Sequence, residues 1–454
     1  MPSYRELSEI LASERIFLEE EEKLAHSYDA TEHKHLPDAV VMPISEEEIV
    51  GVVKLAYERG IPIVPRGAGT SLSGGPIPIK GGIVVDLTLM NKIKDIDLEN
   101  SLVTVEPGVV YADLNKALER HGLFFPPDPG SGKVCTIGGM ASTNSSGIRA
   151  VKYGTTKDYV SSLRVVLPNG EVIKLGSKAK KSSSGYNLKD LFIGSEGTLG
   201  LFTEIILRLI PKPTNFATAK VDFEDLEDAG KAVTEIITSG VAPAVLEIMD
   251  RYTLRAVQKF SKISFEDVDA ILLIETDGFS DEVVKDLEKA VEICEKHNAL
   301  KVEESSSDEE RERLWEARKA ALPSLARHKP TLILEDVTVP ISKLSTMLEG
   351  IEGIAEKYGL DIATFGHAGD GNLHPTFLTD KRDKEEIRRV RKAMKELFIL
   401  ALELGGTLTG EHGIGLEKKN FMPLEHSSTL EAMKAIKRLV DPINIMNPGK
   451  IFEV

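Results

Sequence analysis

The stretch Pro65-Arg-Gly-Ala-Gly-Thr-Ser-Leu-Ser-Gly-Gly75 constrains this chain more than any other. It follows the short apolar run 61–64 and sets four glycines, Gly67, Gly69, Gly74 and Gly75, among three hydroxyls. Glycine admits positive φ and lacks the Cβ that would hold a ligand away. Successive N–H groups can therefore converge on an anion, a pyrophosphate above all, with Thr70, Ser71 and Ser73 assisting. An ordinary glycine-rich turn is an equal reading of these residues alone. Spacing excludes two familiar phosphate loops: no lysine follows the second glycine as in GxxxxGK[ST], and Gly67-Ala-Gly-Thr-Ser-Leu72 breaks GxGxxG. Residues 83–87 then read as a strand, so the loop joins two strands.

The 454 residues leave room for two or three domains, each with its own core. With 72 acidic against 56 basic residues the formal charge is −16, which disfavours a nucleic-acid partner. The acidic runs 19–22 and 308–310 read as solvated faces. Cys135 and Cys294 are the only cysteines and form no CxxC. This excludes a cysteine-ligated iron–sulfur cluster within the chain, gives no disulfide framework and suits a reducing compartment. The first residues lack a basic and then apolar leader, and no run approaches the ~18 apolar residues of a membrane span. A cytoplasmic location is expected.

Helical spacing over residues 3–24 predicts an N-terminal surface helix. Ser45-Glu-Glu-Glu48 reads as a capping box before a helix that buries Ile49, Val52, Val53, Ala56 and Tyr57 and stops at Gly60. Strands follow at 83–87 and 102–106 and a helix at 111–121. The proline-rich stretch 125–132 excludes regular structure. Cys135-Thr-Ile-Gly-Gly139 and Ser142-Thr-Asn-Ser-Ser-Gly147 read as loops of small residues that let a backbone approach a ligand. Residues 163–167 and 171–175 form a hairpin around Asn169-Gly170, and a strand at 201–209 ends before Pro211-Lys-Pro213, a domain boundary. Beyond it two β-α-β passes, 220–248 and 271–303, suggest a ferredoxin-like split unit. A helix over 307–326 carries Trp315 and the basic residues Arg318 and Lys319, with Arg327 just beyond it.

His367-Ala-Gly-Asp-Gly-Asn-Leu-His374 lies between the apolar runs 362–365 and 376–378. A two-residue turn at Asp370-Gly371 pairs His367 with His374, which sets both imidazoles on one face with Cβ atoms about 5 Å apart. Two imidazoles at that spacing can share a metal ion; ordinary hydrogen-bonded hairpin histidines are the other reading.

Six segments taken together, PRGAGTSLSGG, CTIGG, GSEGTLG (194–200), HAGDGNLH, GEHGIG (410–415) and NPGKI (447–451), resemble the FAD-linked oxidases of the vanillyl-alcohol oxidase type. The glycolate oxidase and D-lactate dehydrogenase branch is the most similar. The resemblance implies an α+β fold: an N-terminal helical segment over 1–36, a two-part PCMH-type FAD-binding domain over 37–213, and an α+β cap over 214–454 that holds substrate and metal. It implies FAD contacts from Pro65, Arg66, Gly67, Ala68, Gly69, Thr70, Ser71, Gly74, Gly75, Pro127, Asp128, Thr136, Gly138, Gly139, Ser142, Asn144, Gly147, Glu196, Gly197 and Asn447. The flavin would be bound without a covalent link, since the pyrophosphate loop has no histidine.

The resemblance further implies a divalent metal on His367, His374 and Glu411, with zinc favoured and manganese, iron or cobalt compatible. His412 matches the family's catalytic base and Arg318 its substrate-carboxylate arginine. The implied reaction takes the 2-hydroxyl proton to His412 and the C2 hydride to flavin, giving a 2-oxo acid from a small D-2-hydroxy acid such as lactate or glycolate. Leu334 stands where relatives acting on dicarboxylates carry lysine. Rival readings are an alkyl-ether lipid synthase-like flavoenzyme and an electron-transfer flavoprotein subunit of a larger complex. Electrons would pass to a separate acceptor: an electron-transfer flavoprotein, a quinone, a cytochrome or an iron–sulfur subunit, which allows a peripheral membrane position through a partner. A homodimer is compatible.

Overall fold

The computed structural model describes residues 4–261, 263 and 265–454. Two compact units emerge. Unit 1 runs to Ser146, resumes over Thr155–Lys212 and ends with Glu411–Val454; unit 2 comprises Gly147–Gly154 and Pro213–Gly410. The chain passes from unit 1 to unit 2 between Lys212 and Pro213. Of the span 214–454, the last 44 residues, Glu411–Val454, group with unit 1.

Unit 1 contains two larger sheets and a two-stranded antiparallel pair, Leu123–Phe124 with Ile210–Pro211. In the first, Ala39–Val41, Ile83–Asp86 and Ile63–Arg66 run parallel, and Ile16–Phe17 adds antiparallel at the edge. The helix Glu46–Arg59 connects two of these strands. Ser45 caps it by accepting from the Glu48 amide, and Gly60 ends it at φ 64°. Its Ile49, Val52, Val53 and Ala56 are fully buried. The capping box is only half made, because the Glu48 carboxylate takes the Ile44 amide and Arg15 instead of reaching back to Ser45. The second sheet is antiparallel, in the order Ile93–Asp97, Leu102–Val105, Leu201–Arg208, Val160–Val166, Val172–Gly176.

Two expectations fail here for tertiary reasons. The surface helix of 3–24, whose first residue lies outside the described residues, is replaced by two 3₁₀ turns, Tyr4–Glu9 and Ser13–Arg15, the edge strand Ile16–Phe17 and a short helix Glu20–Leu24. Burial of Leu7 and Leu11, the Arg15–Glu48 pair and the pairing of Ile16 with Val41 together outweigh helical propensity. The small-residue loops at 135–147 contain a helix, Ile137–Thr143, capped by Thr136, whose Oγ1 accepts from the Gly139 amide at 3.2 Å. Burial of Ile137, Met140 and Ala141 stabilises it despite two glycines.

Unit 2 is built on an eight-stranded sheet. Four strands, Ala299–Glu304, Asn215–Phe223, Ala270–Gly278 and Val245–Asp250, pair antiparallel in that spatial order. With the helices Leu226–Thr238 and Glu282–Lys296 they form two interleaved β-α-β passes, as the pattern predicts. Asp361–His367, Asn372–Thr379 and Thr331–Leu334 extend the sheet, with Val337–Thr338 pairing beside them. Helices Arg251–Phe260 and Asp308–Leu325 pack on one face against Met249, Ile271, Ala363, Phe365 and Leu378.

Beneath the second of these helices, the buried Glu275 takes Arg311 through Nε at 2.7 Å and Nη2 at 2.8 Å, Trp315 Nε1 at 3.1 Å and Thr218 Oγ1 at 3.0 Å. Burial pushes its carboxyl up, but these donors and the charges of Arg311 and Arg149 hold it below the usual carboxylate range. Removing one side of such a pair strands the other's charge in a low-dielectric interior. Glu275→Ala should cost about 3–5 kcal/mol of stability, whereas Lys319→Ala, which breaks the exposed pair with Glu312, should leave the thermal midpoint nearly unchanged. Thermal unfolding of the two variants checks this; equal midpoints would show that the Glu275 network is not stabilising.

Candidate active site

In unit 1 the glycine loop leaves the strand Ile63–Arg66 and returns as Ile83–Asp86, so it does join two strands. The amides of Gly67, Ala68, Gly69, Thr70 and Ser71 donate to no group among the described residues. The following turn holds itself together: Gly74 N donates to Asp29 at 2.9 Å, and Ser73 N and Gly75 N donate to Ser71 Oγ. Gly69 adopts φ 70°, and a Cβ there would collide with the Arg66 guanidinium. Arg66 itself is buried, and its Nη1 has no hydrogen-bond partner. Burial pulls its pKa down, against the pull of Asp86 and Asp29. Five unspent amides beside a buried, half-satisfied guanidinium fit a pyrophosphate.

Three other predicted contacts serve the scaffold. Glu196, at φ 51°, accepts the Ile414 and Gly415 amides at 2.7 and 2.8 Å, so its carboxylate organises the segment that begins with Glu411 and His412. Burial raises its pKa while those amides oppose the rise. Asn447 Nδ2 ties the carbonyls of Gly75 and Glu196 together, and the buried Lys450 adds donors to Gly75 O, Ile77 O and Asn447 Oδ1. Asn144 turns left-handed at φ 55° and accepts from Lys157 N and Thr155 Oγ1. Pro127 and Asp128 lie in the irregular stretch as expected. Gly138 packs so closely on Pro107 that a Cβ would clash. Gly147 opens the short segment that belongs to unit 2. Glu411 Oε2 accepts from Ser146 Oγ at 2.9 Å, and His412 follows in the chain with its Nε2 3.9 Å from Glu411 Oε1.

In unit 2 the histidine hairpin differs from the expected count. The turn spans four residues, Ala368–Gly371, with a 3₁₀ turn at Ala368–Asp370 and Gly371 at φ 76°. Its register sets His367 opposite Asn372 and Phe365 opposite His374. The two histidines are thus diagonal neighbours rather than direct partners. Residues i and j+2 still share a face, and the rings meet edge-on with centroids 5.0 Å apart. Each offers a ring nitrogen within 4.8 Å of the other's.

The same face carries residues that the motifs did not flag. Glu247 lies opposite His367 in the adjoining strand, fully buried, and its Oε1 accepts from His367 Nδ1 at 2.5 Å. Its Oε2 accepts from Arg318 Nε at 2.6 Å. Burial works to raise this carboxyl's pKa, but the charges and hydrogen bonds of His367 and Arg318 bring it below the ordinary range. Arg318 projects from the helix Asp308–Leu325 and stacks on Phe365, 4.7 Å from the ring centroid. On the other side Asp336 accepts from Asn372 Nδ2 at 2.9 Å, Thr409 Oγ1 at 2.5 Å and Gly410 N at 3.0 Å. A Cβ on Gly410 would take the space of Asn372 Nδ2 and Thr338 Oγ1, so glycine is required for this close approach. The donor set fits a divalent cation: two imidazoles, one with its second nitrogen already engaged, and buried carboxylates behind them. Glu247 was legible as the one charged residue amid the apolar run Val245-Leu-Glu-Ile-Met249. Asp336 had no such signal beyond its place before Val337-Thr-Val-Pro340.

Fold and site together define a flavin-dependent oxidoreductase of the two-domain kind. The chain belongs to the FAD-linked oxidase family: residues 37–176 match the family's FAD binding domain and 212–451 its FAD linked oxidases, C-terminal domain. It is 48% identical to the glycolate oxidase subunit GlcD of Bacillus subtilis, over 95% of this chain and 92% of that one. It is 38% identical to the D-lactate dehydrogenase of Anaerostipes hadrus, over 97% of this chain and 95% of that one. Among solved structures, p-cresol methylhydroxylase superimposes with a TM-score of 0.79 at 19% identity, covering 98% of this chain and 96% of that one. Alkyldihydroxyacetonephosphate synthase gives 0.77 at 21%, covering 99% and 84%. These two likenesses establish the fold alone. Among the described residues no helix is long and apolar enough to cross a membrane.

If Arg66 faces the cofactor's phosphates, Arg66→Met should weaken FAD binding to the apoprotein about 10–100-fold, the scale of a lost charge-assisted hydrogen bond. Quenching of FAD fluorescence on titration measures it, and an unchanged affinity would give Arg66 a purely structural role.

Proposed function

We propose that this flavoprotein oxidises a small D-2-hydroxy monocarboxylate, D-lactate or glycolate, to the 2-oxo acid. The observation that carries the reading is the single sheet face holding His367, His374 and Glu247, with Arg318 stacked over Phe365 beside them. The names of the relatives, a glycolate oxidase subunit and a D-lactate dehydrogenase, support the same substrate class.

Arg318 is suited to the substrate carboxylate. Only its Nε has a hydrogen-bond partner among the described residues, and the Phe365 ring fixes its plane, so the terminal nitrogens are presented as a fork. His367 and His374, with Glu411 directly after the anchored Gly410, would hold a divalent cation, zinc most naturally, with manganese, iron or cobalt alternatives. Such a cation lowers the pKa of a bound hydroxyl. His412 accepts the 2-hydroxyl proton, and bound FAD supplies the two-electron acceptor for the C2 hydrogen.

FAD is held without a covalent link: the loop 65–75 has no histidine, and burial pushes the Cys135 thiol up to about 11, which keeps it from acting as a nucleophile near neutral pH. Electrons from a bound flavin would leave to a separate acceptor. Leu334, half-buried at the end of the strand Thr331–Leu334 and packed against the apolar cluster that includes Phe365, offers no second cation. A distal carboxylate there would be desolvated unpaired, at a cost of several kcal/mol.

Anaerobic flavin bleaching tests the reading. D-Lactate or glycolate should bleach the holoenzyme with higher kcat/KM than D-2-hydroxyglutarate, chelator should abolish bleaching, and zinc should restore it. His412→Ala should retain flavin and metal yet slow reduction ~10²-fold or more. No bleaching by either monocarboxylate, or a preference for the dicarboxylate, would overturn the assignment.

A further inference from the structure

We infer that Glu247 is a positioning residue that fixes the tautomer of His367, so that Nδ1 carries the proton and Nε2 presents its lone pair to the cation. The inference rests on the metal reading above and concerns a residue outside the proposed ligand set. It follows from counting donors and acceptors. Glu247 is 1% exposed and sits opposite His367 across the strand pair. Its two oxygens are divided: Oε2 takes Arg318 Nε at 2.6 Å and Oε1 takes His367 Nδ1 at 2.5 Å.

A guanidinium is a donor only and never an acceptor, and it always carries its charge. It therefore keeps its neighbour an acceptor. With Oε2 so engaged and the group a carboxylate, Oε1 is also an acceptor, and the nitrogen facing it must be N–H. The remaining nitrogen of His367, Nε2, is thereby the lone-pair nitrogen whenever the ring is neutral. Buried imidazole ligands backed by a carboxylate in this way bind metal about 10–100-fold more tightly than unbacked ones. The second consequence is mechanical. The one carboxylate that sets the His367 ring also sets the Arg318 plane against Phe365, so the proposed cation ligand and the proposed carboxylate fork are held from a single atom group.

Glutamine at this position gives a sharp test, because it has the same shape but one acceptor and one donor end. In Glu247→Gln, Arg318 cannot donate to the amide NH₂, so the carbonyl must turn to Arg318 and the NH₂ to His367. Nδ1 then becomes the acceptor, the proton moves to Nε2, and the lone pair intended for the cation is lost. In the double variant Glu247→Gln with Arg318→Met, the glutamine is free to rotate, offer its carbonyl to Nδ1 and restore the original tautomer. A merely structural role for Glu247 predicts the opposite, since the double variant removes more of the network.

Zinc affinity is measured by chelator competition on FAD-loaded wild type, Glu247→Gln and the double variant, with flavin stoichiometry as the control for folding. The expected result is a 10–100-fold loss in Glu247→Gln with flavin retained, and recovery of at least part of that loss in the double variant. Unchanged zinc affinity in Glu247→Gln, or a further loss in the double variant, overturns the inference. Two-bond ¹H–¹⁵N spectra of zinc-loaded wild type give a second readout that needs no variant: His367 should be coordinated through Nε2 with Nδ1 protonated, and coordination through Nδ1 overturns it. Wild type that binds no zinc at all overturns the metal reading of the previous subsection as well, and is told apart because it appears before any substitution is made.

Discussion

The antiparallel register that sets Glu247 opposite His367 is the constraint on which the rest of unit 2 depends. It joins the four ferredoxin-like strands to the histidine hairpin, and it does so with a carboxylate buried on the sheet face that would be intolerable without fixed partners. Arg318 and His367 are those partners. A one-residue slip of the strand Val245–Asp250 alone would turn Glu247 to the opposite face and leave His367 and Arg318, against Phe365, without their anion. Register, helix position and ring orientation are therefore specified together, and the chemistry inherits that precision. Asp336 applies the same logic on the neighbouring side, where one buried carboxylate gathers Asn372, Thr409 and the Gly410 amide.

Unit 1 meets its task with backbone rather than side chains. Five consecutive unspent amides and a half-satisfied Arg66 form a cradle for negative charge. Such a loop would collapse onto itself if its flanks were loose. Asp29 restrains it from one side through Gly74, and Asn447 and Lys450 restrain it from the other through Gly75 and Ile77. The last residues of the chain are thus part of the same structure as the loop near residue 70, with Glu196 fixing the backbone just after Glu411 and His412.

Much of this was legible in the sequence because local chemistry and tertiary structure agreed. The helix Glu46–Arg59 carried its own cap, apolar face and stop at Gly60. The interleaved β-α-β passes showed both periods clearly. The rest failed where a distant partner decided the outcome. Residues 4–24 had helical spacing, yet pairing with Ala39–Val41 and the Glu48 carboxylate drew them into turns and an edge strand. Two glycines in Ile137–Thr143 argued for a loop, and only burial of Ile137 and Met140 made a helix there. At the hairpin the Asp-Gly dipeptide suggested a two-residue turn, but Gly371 takes the left-handed position at the end of a wider one. The inference that both imidazoles share a face survived because the true offset is also even. Glu247 was missed as a participant since its partners lie 71 and 120 residues away, and no spacing rule reaches that far.

X-ray absorption at the zinc edge of zinc-loaded wild type reads most directly whether the two imidazoles of the hairpin take up the divalent cation proposed for them. A first shell of nitrogen and oxygen at about 2.0–2.2 Å with the outer-shell scattering of two imidazole rings is expected. A shell containing sulfur, or oxygen alone without imidazole scattering, would contradict it.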